Sequence, residues 1–128
     1  MYEKLTAFLP KLENSSYGTW ICDEEHFPFV HYDDAVRDLG QEIYQFLKDH
    51  PEMKISDYRE ALSNANIEID EMSDADVSAL DCSTVFGLIL SAYRRERFCD
   101  GALMDYLQQG CIEKWLKRLQ EIDNAKEE

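Results

Sequence analysis

Arg94-Arg95-Glu96-Arg97-Phe98-Cys99-Asp100-Gly101 leads into Ala102–Gly110 and then Cys111–Ile122. Three arginines run up to an Asp-Gly break, which marks a turn. Beyond it Leu103, Tyr106 and Leu107 share one helical face, with Asp100 placed as an N-cap. Gly110 stands where a left-handed C-terminal cap belongs. Ile112, Trp115, Leu116, Leu119 and Ile122 then form a stripe at helical spacing, with Glu113 and Lys117 paired four apart on its exposed side. After Ile122 the acidic tail is expected to fray.

Upstream of the arginines, Val85-Phe86-Gly87-Leu88-Ile89-Leu90 is apolar on nearly all sides. A helix of that kind belongs at the centre of a core, and Ser83 or Thr84 is placed to cap it. The last three helices are thus expected to form a trihelical unit. Ser73-Asp74-Ala75-Asp76 caps a short helix through Leu80, and another helical segment opens at Ser56-Asp57. Ala35, Val36, Leu39, Ile43, Phe46 and Leu47 give a 3.6-residue stripe opened by Asp33 or Asp34 and ended near His50-Pro51. Two runs rich in aromatic and β-branched residues precede it, Tyr17–Cys22 and Phe27–Tyr32, and Pro28 limits the second to an edge. They suggest a small irregular hairpin, with Trp20 and Phe29 in its core. Leu5, Phe8, Leu9 and Leu12 make a short N-terminal helix that Pro10 weakens or breaks.

The expected fold is therefore mainly α, with five or six helices and a small irregular β-hairpin near the N-terminus. A length of 128 residues suits one domain, with an ordered core over about 2–122. The net charge is −14, yet residues 92–118 alone carry +2. Such acidity repels polyanions, which argues against nucleic acid and anionic membranes as partners of the whole molecule. No apolar run approaches the ~20 residues of a membrane span, and no secretory leader is visible. Four cysteines, Cys22, Cys82, Cys99 and Cys111, lack paired spacing, which suits reduced thiols in the cytoplasm, with Cys99 and Cys111 as buried small hydrophobes.

Arg94, Arg97-Phe98, Gly101, Leu103, Gly110, Ile112, Leu116 and Arg118-Leu119 together resemble the C-terminal pattern of an uncharacterised bacterial family, a domain of unknown function. Gly18-x-Trp20 and Phe27-Pro28-Phe29-x-x-Tyr32 are similar to its upstream part. The resemblance spans about Leu12 to Ile122. It implies a bacterial intracellular protein and brings no catalytic residues with it.

Chemistry is sparse. No nucleophile elbow, zinc-protease helix, phosphate loop or dinucleotide fingerprint is present. Cys22, His26 and His31, with Asp33 and Asp34 close by, are metal-ligand types at a spacing that fits no standard zinc site, so neither metal nor cofactor is expected. Arg94 and Arg97, three apart, can share a face and hold an anion beside the helix start after Asp100, or can pair with internal acids. Aromatics can anchor a partner or plug the core; Trp20, with core as its favoured place, and Tyr32, which suits either, are the candidate binding aromatics. Lys114, Lys117 and Arg118 leave a helix–turn–helix reading open, against Glu113, Glu121 and the overall charge. By elimination the reading is a non-enzymatic cytoplasmic module that binds a protein partner or regulates one. The alternatives are a small-ligand or anion-binding protein or enzyme with a pocket beside Arg94 and Arg97, and DNA binding. A homodimer through an exposed helix face stays open.

Overall fold

In the computed structural model, residues 2–25, 28–51 and 62–127 are described. The chain runs through α1 (Glu3–Thr6), α2 (Leu9–Glu13), β1 (Gly18–Ile21), β2 (Phe29–Tyr32) and α3 (Asp34–Asp49). Two short 3-10 turns follow, Ile69–Asp74 and Val77–Ala79, then α4 (Cys82–Arg95), α5 (Ala102–Gln108) and α6 (Cys111–Glu127). The protein is mainly helical, with one antiparallel hairpin near its N-terminus, and α4, α5 and α6 pack together. The helix expected to open at Ser56-Asp57 falls on 52–61, outside the described residues, as do His26 and Phe27.

The core is built where the apolar stripes meet. Val85, Phe86, Leu88, Ile89 and Leu90 of α4 are fully buried, and so are Ile112, Trp115, Leu116 and Leu119 of α6. Helix α6 touches α1, α2, α4 and α5, so its stripe is the shared wall of the interior. Leu39 and Ile43 of α3 close another side, and Tyr2, Phe46 and Phe86 stack with centroids 5.2 and 5.1 Å apart.

Local signals explain most boundaries. Pro10 sits in the first turn of α2, where no N–H is needed, and the N-terminal stripe is split at Ala7-Phe8 into two short helices. Gly110, at φ +77°, ends α5 as expected. Two caps and the extent of one short helix differ from the sequence reading. The cap of α4 is Asp81, whose Oδ1 accepts from the Thr84 N–H at 2.8 Å; Cys82 to Thr84 are already helical. The cap position of α5 is Gly101 at φ +90°, rather than Asp100. Asp76 caps the 3-10 turn Val77–Ala79, whose single turn ends before Leu80. The last helix also continues past Ile122 to Glu127. Asp123 there is buried, and its Oδ2 accepts from the Tyr2 N–H at 2.8 Å, which ties the last turns to the start of α1.

The hairpin pairs Gly18 with Tyr32, Trp20 with Val30 and Ile21 with Phe29. Val30 and Tyr32 point inward; Phe29 and His31 alternate outward, as the period of a strand requires. The expectation that Trp20 and Phe29 are core residues is thereby corrected: they are 45% and 36% exposed. A two-stranded ribbon has one inner face, and Phe29 lies on the other.

Candidate functional site

Helix α4 ends at Arg95, and the chain turns through residues 96–101 before α5. The Glu96 carboxylate organises this turn. Its two oxygens accept from the Gly101 N–H at 2.7 and 2.8 Å, which supplies the acidic cap that α5 otherwise lacks. The same carboxylate accepts from the Tyr32 hydroxyl, and the Tyr32 oxygen accepts from the Met104 N–H at 3.1 Å. Tyr32 therefore rivets β2 to the start of α5. Trp20, next along the hairpin, lies over Gly101 so closely that any side chain at 101 would run into the indole. The bare, left-handed glycine serves both the turn and this contact.

The arginines diverge. Arg95 reaches α5, its Nη1 donating to the Tyr106 hydroxyl at 3.2 Å with the guanidinium 5.9 Å from the ring centre. Arg97 lies beyond the helix, and reaches α3: its guanidinium stands 5.6 Å from the Tyr44 ring centre and Nη2 donates to the Tyr44 hydroxyl at 3.4 Å. Arg94 stays half-buried in the last turn of α4. Arg97 is held by an aromatic ring and has no carboxylate partner among the described residues. Phe98 follows it at the tip of the turn, 86% exposed. Cys99, expected to be buried, is exposed beside it, whereas Cys111 is buried and its thiol pKa is pushed up by that burial.

Between α3 and the α4–α5 turn lies an open cleft of about 300 Å³. Val36, Leu103, Tyr44 and Tyr93 form apolar walls, Arg37 and Gln41 line its α3 side, and Tyr32 and Glu96 close one end. Gly40 makes this shape possible. A Cβ there would sit 2.9 Å from Tyr93 Cε1, so the glycine lets the Tyr93 ring approach α3 closely while its hydroxyl donates to the Val36 carbonyl at 2.8 Å. A glycine inside an amphipathic helix costs about 1 kcal/mol, and that cost is the sequence signal pointing here. Glu96, Tyr44 and Tyr93 have no comparable signal.

A larger depression of about 420 Å³ lies between the Val77–Ala79 turn and α6. Lys114, Lys117 and Arg118 face Asp76, Glu113 and Glu121 around it, so its charges balance. Lys114 Nζ donates to the Ala75 carbonyl at 2.8 Å, and Arg118 donates to the Leu80 carbonyl at 3.1 and 3.2 Å and pairs with Glu121 at 3.3 Å. Two of the three cations of the helix–turn–helix reading are thus engaged within the fold. Among the described residues no three metal-ligating side chains converge, Cys22 and His31 are exposed, and no helix is long and apolar enough to cross a membrane.

The tyrosines bear on pH. A hydrogen bond to Glu113, helped by burial, pushes the Tyr17 pKa up to about 12. Burial, then the Glu96 bond, raises that of Tyr32, and burial raises that of Tyr93. A raised folded-state pKa means stability that is complete below the unfolded value, about 10. It is lost as pH rises through the folded values. Cooperative alkaline unfolding is expected above about pH 10, seen as far-ultraviolet circular dichroism falling together with delayed tyrosinate absorbance. Tyrosines that ionise near pH 10 with the fold intact would refute it.

No curated protein and no solved structure matches this chain. One family matches residues 2–125, nearly the whole length, and the chain belongs to it: DUF6508, a family of unknown function.

Proposed function

We propose that this is a single-domain, cytoplasmic bacterial module that binds a protein partner through the turn after α4. The observation that carries the reading is Phe98, 86% exposed at the tip of a turn whose backbone is fixed by Glu96. Burying a phenylalanine is worth about 1.5–3 kcal/mol, and the fold leaves that gain unused. Arg97 precedes it and Trp20 packs on Gly101 of the same turn, and aromatic residues with arginine are the side chains that dominate binding at interfaces. A rigid backbone under the anchor keeps the ordering cost of association low. DNA binding is disfavoured by the net charge and by the internal bonds of Lys114 and Arg118.

Phe98→Asp tests the reading. The variant is expected to keep the wild-type melting temperature, because Phe98 adds little to the core. In affinity capture it should lose a partner that the wild-type protein retains, and in sedimentation any self-association through this face should vanish. A variant that retains every partner of the wild type would sink the proposal.

A further inference from the structure

The cleft between α3 and the α4–α5 turn has a chemistry of its own, distinct from that of Phe98 at the tip of the turn. Its walls are apolar: Val36, Leu103 and the rings of Tyr44 and Tyr93. Its one acidic side chain among the described residues, Glu96, already accepts from the Gly101 N–H and the Tyr32 hydroxyl. One cation borders it and a second stands beside its Tyr44 wall. Arg37 lines it from α3, and Arg97 stands against the Tyr44 ring. Neither guanidinium has a carboxylate partner among the described residues, in a chain with 27 acids and 13 bases. Elsewhere Arg118 is used up on Leu80 and Glu121. Arg37 in the cleft lining and Arg97 against its Tyr44 wall are thus left without a carboxylate counter-ion among the described residues.

We infer that this cleft binds a small amphipathic carboxylate, an aromatic or branched apolar body ending in one acidic group. The apolar body packs against the Tyr44 and Tyr93 rings, the latter anchored by its hydroxyl bond to the Val36 carbonyl. The carboxylate meets Arg37 and Arg97, whose planar donors suit it. A volume of about 300 Å³ is at the small end for ligand sites. The occupant is accordingly a metabolite-sized acid carrying about one ring. The site does not depend on Phe98, so this inference stands apart from the protein-docking reading.

The test is a titration of the isotope-labelled full chain followed by amide chemical shifts. The probes are phenylpropanoate, its neutral amide, the corresponding amine and inorganic phosphate. Phenylpropanoate is expected to shift the Gly40, Gln41 and Leu103 amides to saturation with a Kd on the order of 0.1–1 mM. The amide should bind about tenfold more weakly for want of charge-assisted bonds, and the amine and phosphate should leave those amides in place. Gln41→Trp fills the cleft from an exposed position and should abolish the shifts; Arg97→Glu should weaken binding about tenfold. Both variants should keep a dispersed spectrum. Phe98→Asp should bind the acid as the wild type does. Equal binding of acid and amide, equal binding of phosphate, or undiminished binding by Gln41→Trp would each overturn the assignment.

Discussion

Trp115→Ala should lower the unfolding free energy by about 3–5 kcal/mol. Trp115 has no solvent exposure, and it sits on α6, the helix that α1, α2, α4 and α5 all touch. Its ring lies 5.8 Å from that of Tyr106, so a cavity at 115 loosens α5 as well. Domains of this kind are stable by about 5–15 kcal/mol in total, so the loss is a large fraction of the whole. Trp115→Phe supplies the control. The indole Nε1 is buried with no hydrogen-bond partner, so losing that N–H leaves no acceptor stranded. The phenylalanine variant should lose under about 1.5 kcal/mol. Urea denaturation followed by circular dichroism measures both. A Trp115→Ala midpoint equal to that of wild type would show that α6 is not the shared wall of the core.

Glu96→Ala should cost about 1–3 kcal/mol, a large effect for a half-buried side chain in a turn. Truncation strands two donors, the Gly101 N–H and the Tyr32 hydroxyl, and removes the negative charge at the start of α5. Glu96→Gln keeps one acceptor oxygen and should lose less. Hydrogen exchange separates this account from general destabilisation. In the alanine variant the Gly101 amide and the hairpin amides should lose protection first, while those of α4 and α6 keep theirs. Uniform loss across the chain would mean that Glu96 is not the rivet between hairpin and turn.

Much of the architecture was legible in the residues. The α4 run, the stripes of α3 and α6, the Gly110 stop and the N-terminal hairpin follow from periodicities of 3.6 and 2, which act along the chain. What periodicity cannot carry is the choice among neighbouring polar groups. Asp81 and Glu96 cap where Ser83, Thr84 and Asp100 look equally suitable, because the contest is settled by where the backbone turns. Trp20 and Phe29 look like core by composition. Their exposure follows from how the ribbon meets the helices, a tertiary matter. Tyr32 in the cleft lining and Arg97 beside it stand out in the sequence. Arg37, Tyr44 and Tyr93 do not, since α3 and α4 bring them together across about fifty residues of chain.

The place of α6 has a consequence for how the protein is made. Its stripe is the surface on which α1, α2, α4 and α5 close, and it leaves the ribosome after all of them. Until Leu119 emerges, the apolar faces of Leu5, Leu12 and Leu88 lack the α6 side of their core, and the contacts of α1 and α2 with α3 cover only part of it. Synthesis proceeds at roughly 5–20 residues per second, so the nascent chain spends seconds with those faces open. The core is therefore completed only when the last helix is available, the condition under which small domains consolidate in a nearly all-or-none step.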